Sequence, residues 1–184
     1  MDKLSDLNSK KYDNREPIAI VGLGCRFPGG ITSPESFWEF LRDGKDGITE
    51  VPSERWDLNK FYDPDPNKKG KIYVKKGGFL EDIDMFDPGF FGISPKEAAF
   101  MDPQQRITLE IVWEALEDGG LPPANLRGSK TGVYVGVFAH DYMSMHLKES
   151  EQNNVGVHSG VGASPSIVAN RVSYVFDFKG PSIV

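Results

Sequence analysis

The sequence has very little cysteine: Cys25 is the only one among its 184 residues. A single cysteine excludes an intrachain disulfide framework and is typical of a reducing compartment, so we predict a cytoplasmic protein. The sequence also lacks a run of about 18 apolar residues, which a membrane-spanning helix needs. Its charged N-terminal residues do not resemble a secretory signal. These absences argue against a disulfide-rich secreted domain and predict no membrane span.

Positive charge and histidine are scarce as well. Lys and Arg number 21 against 27 Asp and Glu, and the basic residues are scattered along the chain. This balance argues against nucleic acid or an anionic membrane surface as a partner. The three histidines, His140, His146 and His158, never lie three or four residues apart, as ligands on one helix face would. No bound metal is therefore predicted.

The remaining composition, with 39% hydrophobic and 11% aromatic residues, predicts a folded globular domain. Residues 1–15 are mostly polar and are interpreted as a linker or docking tail. Residues 16–184 are predicted to form the domain. Within it, residues 17–25 are a continuous apolar run, which is typical of a central strand covered by helices on both faces.

A first helix is predicted to begin at Thr32 or Ser33, each able to cap the helix that Pro34 opens, and to end at Gly44. Residues 45–76 are rich in Pro, Asp, Asn and Lys, which indicates a long loop. We expect burial of four aromatic rings to pin this loop: Trp56, Phe61, Tyr62 and Tyr73.

Two further helices are predicted to begin at Ser94 and Asp102, each of which is followed by proline. Glu97 and Gln105 stand where a side chain can reach back to the cap amide. The second helix is predicted to end at Gly119-Gly120. It has apolar residues along one face, at Leu109, Val112, Trp113 and Leu116.

The last third of the sequence predicts a strand over residues 131–138, a helix opened by Ser164 and Pro165, and a strand that begins within residues 178–184. The apolar side of that helix is predicted to carry Ile167, Val168, Arg171, Val172 and Val175. This order of elements implies a layered α/β fold. The final strand reaches the last residue without a turn, so we expect a chain severed in mid-strand and, on its own, poorly soluble.

Short motifs that suggest other chemistry are weak. Gly22 and Gly24 begin like a dinucleotide-binding fingerprint, but Phe27 replaces the third glycine that lets a helix pack over a pyrophosphate. Cys25 has no sequence neighbour that would act as a base, so we interpret it as ordinary core. We therefore predict no bound cofactor.

His140 and Asp141, with Ser144 or Ser159, could be assembled into a hydrolase triad, but no Gly-x-Ser-x-Gly elbow is present to expose a serine. The alternative is a polar loop after a core strand, and such loops often face a ligand or partner. Arg106 and Glu110 are spaced for a helical ion pair, which we interpret as structural.

Five segments carry a resemblance to a known family. They are residues 16–29, 91–95, 101–106, 169–174 and 180–182, which include Met101-Asp102-Pro103-Gln104-Gln105-Arg106 and Gly180-Pro181-Ser182. In this order they closely resemble the β-ketoacyl synthase (ketosynthase) domain of modular type I polyketide synthases. The resemblance implies an α/β, thiolase-like layered α/β/α/β/α fold. Of that fold this chain would be the N-terminal half, truncated before the nucleophile elbow.

The resemblance implies decarboxylative Claisen condensation in polyketide or fatty-acid chain elongation. The family's nucleophilic cysteine follows the Gly-Pro-Ser segment and its two histidines come later, so no catalytic residue is expected here and Cys25 does not align with the nucleophile. The isolated chain is therefore expected to be inactive. By the same resemblance, Tyr142, His158 and Ser159 are placed at a loop that borders the acyl pocket or the dimer partner.

The partners implied by the resemblance are an acyl carrier protein, acyl and malonyl-type thioester substrates, and a second ketosynthase domain in a homodimer. No cofactor is bound directly, and the phosphopantetheine arm of the carrier protein delivers the substrate. An alternative interpretation is a non-catalytic ketosynthase-like module that provides an interaction or dimerisation surface.

Overall fold

The computed structural model describes residues 16–146 and 156–184, and the predicted linker or docking tail at residues 1–15 lies outside them. The described helices are α1 Pro34–Arg42, α2 Leu58–Phe61, α3 Pro95–Phe100, α4 Pro103–Asp118, α5 Pro123–Leu126, α6 Asp141–His146, α7 Val157–Ala163 and α8 Ile167–Phe176. The described strands are β1 Ile48–Glu50, β2 Lys76–Gly78, β3 Val133–Tyr134 and β4 Ser182–Ile183. Among these helices none is long and apolar enough to cross a bilayer.

Two short sheets organise the strands. β3 and β4 are parallel, with Val133 opposite Ser182, and the connection between them carries helices α6 to α8. β1 and β2 are antiparallel, with Ile48 opposite Gly78. The predicted strands at 131–138 and 178–184 are confirmed, although each has only two paired residues. Helix α8 packs against α4, β3 and β4, which gives the layered α/β arrangement that the sequence predicts.

The main core lies between α4 and α8. Leu109 on α4 is fully buried, and the other predicted apolar residues of that face are partly buried against the same cluster. On α8 the buried apolar side chains are Val168, Ala169, Val172 and Phe176. The sequence therefore identified the α4 face correctly, whereas on α8 Phe176 takes the buried position and Val175 only a partial one.

The helix starts follow the predicted caps. Ser33 accepts a hydrogen bond from the amide of Ser36 (3.2 Å), Ser94 from that of Glu97 (3.1 Å), and Asp102 from that of Gln104 (2.8 Å). Helix α8 begins at Ile167, two residues later than expected, because residues 164–166 form a turn.

The predicted central strand at residues 17–25 is wrong. These residues pair with no described strand, and Ile18 is 95% exposed. They lie on α4 instead: a Cβ atom on Gly22 would stand 2.1 Å from the carbonyl oxygen of Ala115, and the amide of Leu23 donates to Asp118 (2.8 Å). An apolar run signals a tendency toward burial, but strand pairing depends on distant segments, which a local pattern does not specify.

The predicted burial of four rings in residues 45–76 is also mostly wrong. Trp56, Phe61 and Tyr73 are exposed, and only Tyr62 is half-buried. Backbone pairing holds the loop instead, through β1 with β2 and a bridge between Tyr62 and Ile72. Trp56 contributes an edge contact with the ring of Phe79, with the ring centres 6.0 Å apart.

Candidate functional site

Tyr142, the first of the three predicted border residues, lies on α6. Its hydroxyl donates a hydrogen bond to the carbonyl of Ala99 on α3 (3.2 Å). Burial raises the pKa of the Tyr142 hydroxyl, and the nearby Arg106 opposes that rise. The side chain is therefore a neutral donor that joins α6 to α3.

His158 and Ser159 lie in the first turn of α7, which packs against both α6 and α3. Ser159 is buried, and its hydroxyl oxygen accepts a hydrogen bond from the amide of Gly156 (2.9 Å), while His158 is half-buried. The structure thus brings the three predicted residues onto two adjacent helices that share α3 as a support. Their role at an acyl pocket stays a prediction.

The hydrolase alternative finds no support in the described residues. The hydroxyl of Ser144 donates to the backbone carbonyl of His140 (3.1 Å), which is the usual back-bond of a helical serine, and Ser159 is engaged with Gly156. Across residues 16–146 and 156–184 no group of three or more His, Cys, Asp or Glu side chains is placed to hold a metal ion.

The surroundings of Cys25 do not activate its thiol. Burial raises the pKa of the Cys25 thiol, Arg26 opposes this rise, and Glu114 and Glu35 add to it. The positive charge of Arg26 is already engaged, because its guanidinium binds Glu114 through both terminal nitrogens. A raised pKa leaves little thiolate near neutral pH. The prediction that Cys25 is a core residue is wrong, because its side chain is only half-buried and lies outside the core cluster.

We expect Cys25 to react slowly with iodoacetamide, because the reactive species is the thiolate and burial disfavours it. Peptide mass spectrometry would follow alkylation of Cys25 between about pH 7 and pH 10, with the rate rising toward the alkaline end. The same protein unfolded in urea is the control, and it should be alkylated faster at every pH below about 9. Equal rates for the folded and unfolded forms would contradict this account of the thiol.

A cavity of about 650 Å³ lies elsewhere, between residues 79–87, α4 and the turn after Arg26. None of the three predicted border residues lines it. Glu110 faces it, and burial raises the pKa of this carboxyl while Arg26 opposes the rise. The predicted Arg106–Glu110 ion pair does not form; a terminal nitrogen of Arg106 instead donates to the carbonyl of Asp84 (3.1 Å).

Sequence reasoning missed a polar cluster formed by Gln105 and Arg171, which are buried, and Glu97, which is half-buried. The Arg171 Nε donates to the Gln105 Oε1 (2.7 Å), and a terminal nitrogen donates to Glu97 (2.6 Å). The Gln105 amide nitrogen donates to carbonyl oxygens at the end of α7. Glu97 and Gln105, expected to cap their own helices, are used for long-range contacts. The signal was Arg171 itself, a charge in the middle of an apolar helix face.

Comparison with known proteins identifies the family. Residues 15–184 match the family model described as "Beta-ketoacyl synthase, N-terminal domain". The chain is 51% identical over 168 residues to a phenolphthiocerol/phthiocerol polyketide synthase of Mycobacterium tuberculosis, covering 91% of this chain and 11% of that protein. It is also 51% identical over 172 residues to erythronolide synthase EryA2 of Saccharopolyspora erythraea, covering 93% and 5% of the two chains.

Solved structures agree with the sequence matches. The oxazolomycin ketosynthase domain OzmH KS7 of Streptomyces albus superposes with a TM-score of 0.83 at 45% identity, covering 92% of this chain and 29% of that one. A ketosynthase from module 6 of the bacillaene synthase of Bacillus subtilis gives a TM-score of 0.73 at 37% identity, covering 90% and 25%.

These comparisons confirm the resemblance and the thiolase-like ketosynthase fold expected from the sequence motifs. The chain spans about a tenth or less of the length of these curated relatives and under a third of the solved ketosynthase chains. The matched segment, residues 15–184, thus corresponds to one portion of a condensing-enzyme domain, and the chain belongs to the β-ketoacyl synthase family.

Proposed function

We propose that this chain is part of a β-ketoacyl-[acyl carrier protein] synthase that performs decarboxylative Claisen condensation in polyketide or fatty-acid chain elongation. The observation that carries the proposal is the family match over residues 15–184, joined to 51% identity with two polyketide synthases. The proposed partners are an acyl carrier protein, acyl and malonyl-type thioesters on its phosphopantetheine arm, and a second ketosynthase domain. A cytoplasmic location is proposed from the single cysteine.

In the proposed reaction, a cysteine thiolate of the complete enzyme attacks an acyl thioester and releases the carrier thiol. A malonyl-type thioester then loses carbon dioxide, and the resulting carbanion attacks the acyl group, so that a β-ketoacyl thioester forms and the cysteine is released. Donors aimed at the developing oxyanion stabilise both steps. By resemblance, that cysteine follows the Gly180-Pro181-Ser182 segment, after which this chain has only Ile183 and Val184.

The contribution of this chain is to hold the strand that leads to the nucleophile. A Cβ atom on Gly180 would lie 2.5 Å from the carbonyl oxygens of Lys130 and Thr131, so only glycine fits there. The hydroxyl of Ser173 on α8 donates a hydrogen bond to that of Ser182 (3.1 Å). Helix α8 and β3 therefore fix the position of β4. Tyr142, His158 and Ser159 are proposed to border the acyl pocket.

A second candidate is a non-catalytic ketosynthase-like module that offers an interaction or dimerisation surface. Several large apolar side chains favour it, because Phe138 is 95% exposed and Ile18, Tyr134 and Tyr174 are also open to solvent. The residue at the nucleophile position distinguishes the two candidates: cysteine supports the enzyme, and glutamine or serine supports the module.

Acyl transfer to protein tests the proposed function. We expect the complete ketosynthase that contains this sequence to acquire an acyl group from an acyl pantetheine thioester, with the adduct on the cysteine after the Gly-Pro-Ser segment. The 184-residue chain alone should acquire none, because the only thiol it contains is that of Cys25, whose pKa is raised by its surroundings. Mass spectrometry of tryptic peptides reads both results. A specific adduct on Cys25, or none on the complete enzyme, would overturn the proposal.

A further inference from the structure

We propose that Gln105 and Arg171 are positioning residues for α7, the helix that carries His158 and Ser159, and that they act by anchoring its last carbonyl groups. The inference rests on the proposed function, since it assigns α7 to the border of the acyl site. It uses two of the sequence motifs, at residues 101–106 and 169–174, that otherwise have no part in the reaction.

The first observation is the contact that Gln105 makes with the end of α7. Its amide nitrogen lies 2.8 Å from the carbonyl oxygen of Gly162, 3.0 Å from that of Val161 and 3.3 Å from that of Ser164. The last carbonyl groups of a helix have no partner within the helix. Gln105 supplies that partner from another helix, and it is only 1% exposed, so water does not compete for the site.

The second observation is that the orientation of the Gln105 amide is fixed by its neighbours. Its oxygen faces the Nε of Arg171 at 2.7 Å, and a guanidinium can only donate. Its nitrogen faces carbonyl oxygens, which can only accept. If the amide were rotated by half a turn, its nitrogen would face the Arg171 donor and its oxygen would face the carbonyl oxygens of α7. Arg171 therefore determines that the amide nitrogen of Gln105 faces α7.

Arg171 is itself held in place from a third helix. It is 8% exposed, and its charge is paired with Glu97 on α3 at 2.6 Å. Glu97, Arg171 and Gln105 thus form a continuous chain of hydrogen bonds from α3 through α8 and α4 to the end of α7, in which the two bonds made by Arg171 are charge-assisted. Such bonds are stronger than neutral ones and give a defined geometry.

The third observation is that the predicted site residues lie one helical turn from the carbonyl groups that Gln105 binds. His158 and Ser159 precede Val161 and Gly162 by three residues each, so they lie on the helix face directly above the anchored carbonyls. Gly162 is also locked by close packing, because a Cβ atom there would lie 2.2 Å from the carbonyl oxygen of Phe100. Its carbonyl accepts a further bond from the amide of Asp102 (2.8 Å). A shift of these carbonyls would therefore move His158 and Ser159.

The test uses Gln105→Glu in the complete ketosynthase. Glutamate keeps the size of the side chain and its bond to Arg171, but it turns an oxygen toward three carbonyl oxygens. Amide hydrogen exchange in residues 157–164 is expected to accelerate about tenfold. The ratio of kcat/KM for a short and a long acyl thioester is expected to change by about tenfold as the acyl border moves. If Gln105→Glu does not fold, Gln105→Met takes its place. Methionine removes the hydrogen bonds without adding a charge, and it should change the exchange rate and the kcat/KM ratio in the same directions.

The matched control is Ile31→Ala in the turn before α1, a residue that is 4% exposed and lies outside the core cluster between α4 and α8. It should lower the melting temperature while leaving both the exchange of residues 157–164 and the selectivity ratio as in the wild type. Unchanged exchange in the Gln105 variants, or faster exchange with an unchanged ratio, would overturn the proposal. If the wild-type enzyme forms no acyl adduct, the proposed function fails, while the exchange measurement still decides whether Gln105 anchors α7.

Discussion

Replacing Arg171 with methionine is expected to lower the free energy of unfolding by about 3 kcal/mol. The substitution leaves the Gln105 Oε1 buried without a donor and the Glu97 carboxylate without its counter-charge. Removing one partner of a buried ion pair costs about 3–5 kcal/mol. We place the effect at the lower end because the Glu97 side chain is 26% exposed and can recruit water. Urea titration of the complete ketosynthase at fixed protein concentration would measure the loss.

Two variants separate this explanation from simple loss of volume or charge. Glu97→Gln removes the counter-charge of Arg171 but keeps an oxygen that accepts from it and leaves the Arg171–Gln105 bond in place, so it should cost less than Arg171→Met. Lys179→Met removes an ion pair with Asp177 that lies at the surface, and it should leave the urea midpoint unchanged. Equal losses for Arg171→Met and Lys179→Met would show that burial of the cluster contributes nothing.

The features that the sequence predicted correctly are those that neighbouring residues determine. The caps at Ser33, Ser94 and Asp102 bind amides two or three residues further along, and proline follows each of them. Helix α4 ends at Asp118, and two residues later Gly120 takes the left-handed conformation (φ 62°) that glycine permits just after a helix. In each case the information and its effect lie within a few residues.

The features that the sequence failed to predict depend on distant partners. Residues 17–25 have a strand-like pattern, yet their position is set by close contact of Gly22 and Gly24 with α4. Glu97 and Gln105 have a local capping preference, but Arg171, 74 and 66 residues away, offers a stronger charge-assisted bond. Tertiary contacts here override the local tendency.

In the candidate site, too, distant contacts determine what the local sequence does not predict. The resemblance to ketosynthases places Tyr142, His158 and Ser159 in a stretch whose sequence pattern predicts a polar loop. The structure places them on two short helices, α6 and α7. Helix α7 has two glycines in seven residues, which weakens any local helix signal. Packing of Gly162 on α3 and the bonds from Gln105 supply what the local sequence lacks.

Phe176→Ala is expected to have the largest effect of the substitutions considered, a loss of about 4 kcal/mol in the free energy of unfolding. Phe176 is 3% exposed at the centre of the core between α4 and α8. Its ring stacks on that of Phe178, with centres 5.6 Å apart, and lies 6.2 Å from that of Trp113. Truncation removes buried apolar surface and these ring contacts. It also leaves a cavity, because other contacts hold α4 and α8 in place and prevent them from closing the space.

Tyr174 on the same helix provides the matched control, because its ring is 86% exposed and Tyr174→Ala should change stability by less than about 0.5 kcal/mol. Phe176→Leu should fall between the two, since leucine fills part of the space. Because Phe178 leads directly into β4, a loosened Phe176 should also accelerate amide exchange at Val133 and Val135, whose amides donate to Pro181 and Ile183. A loss for Phe176→Ala no greater than that for Tyr174→Ala would mean that this aromatic cluster does not fix the strand that leads to the nucleophile.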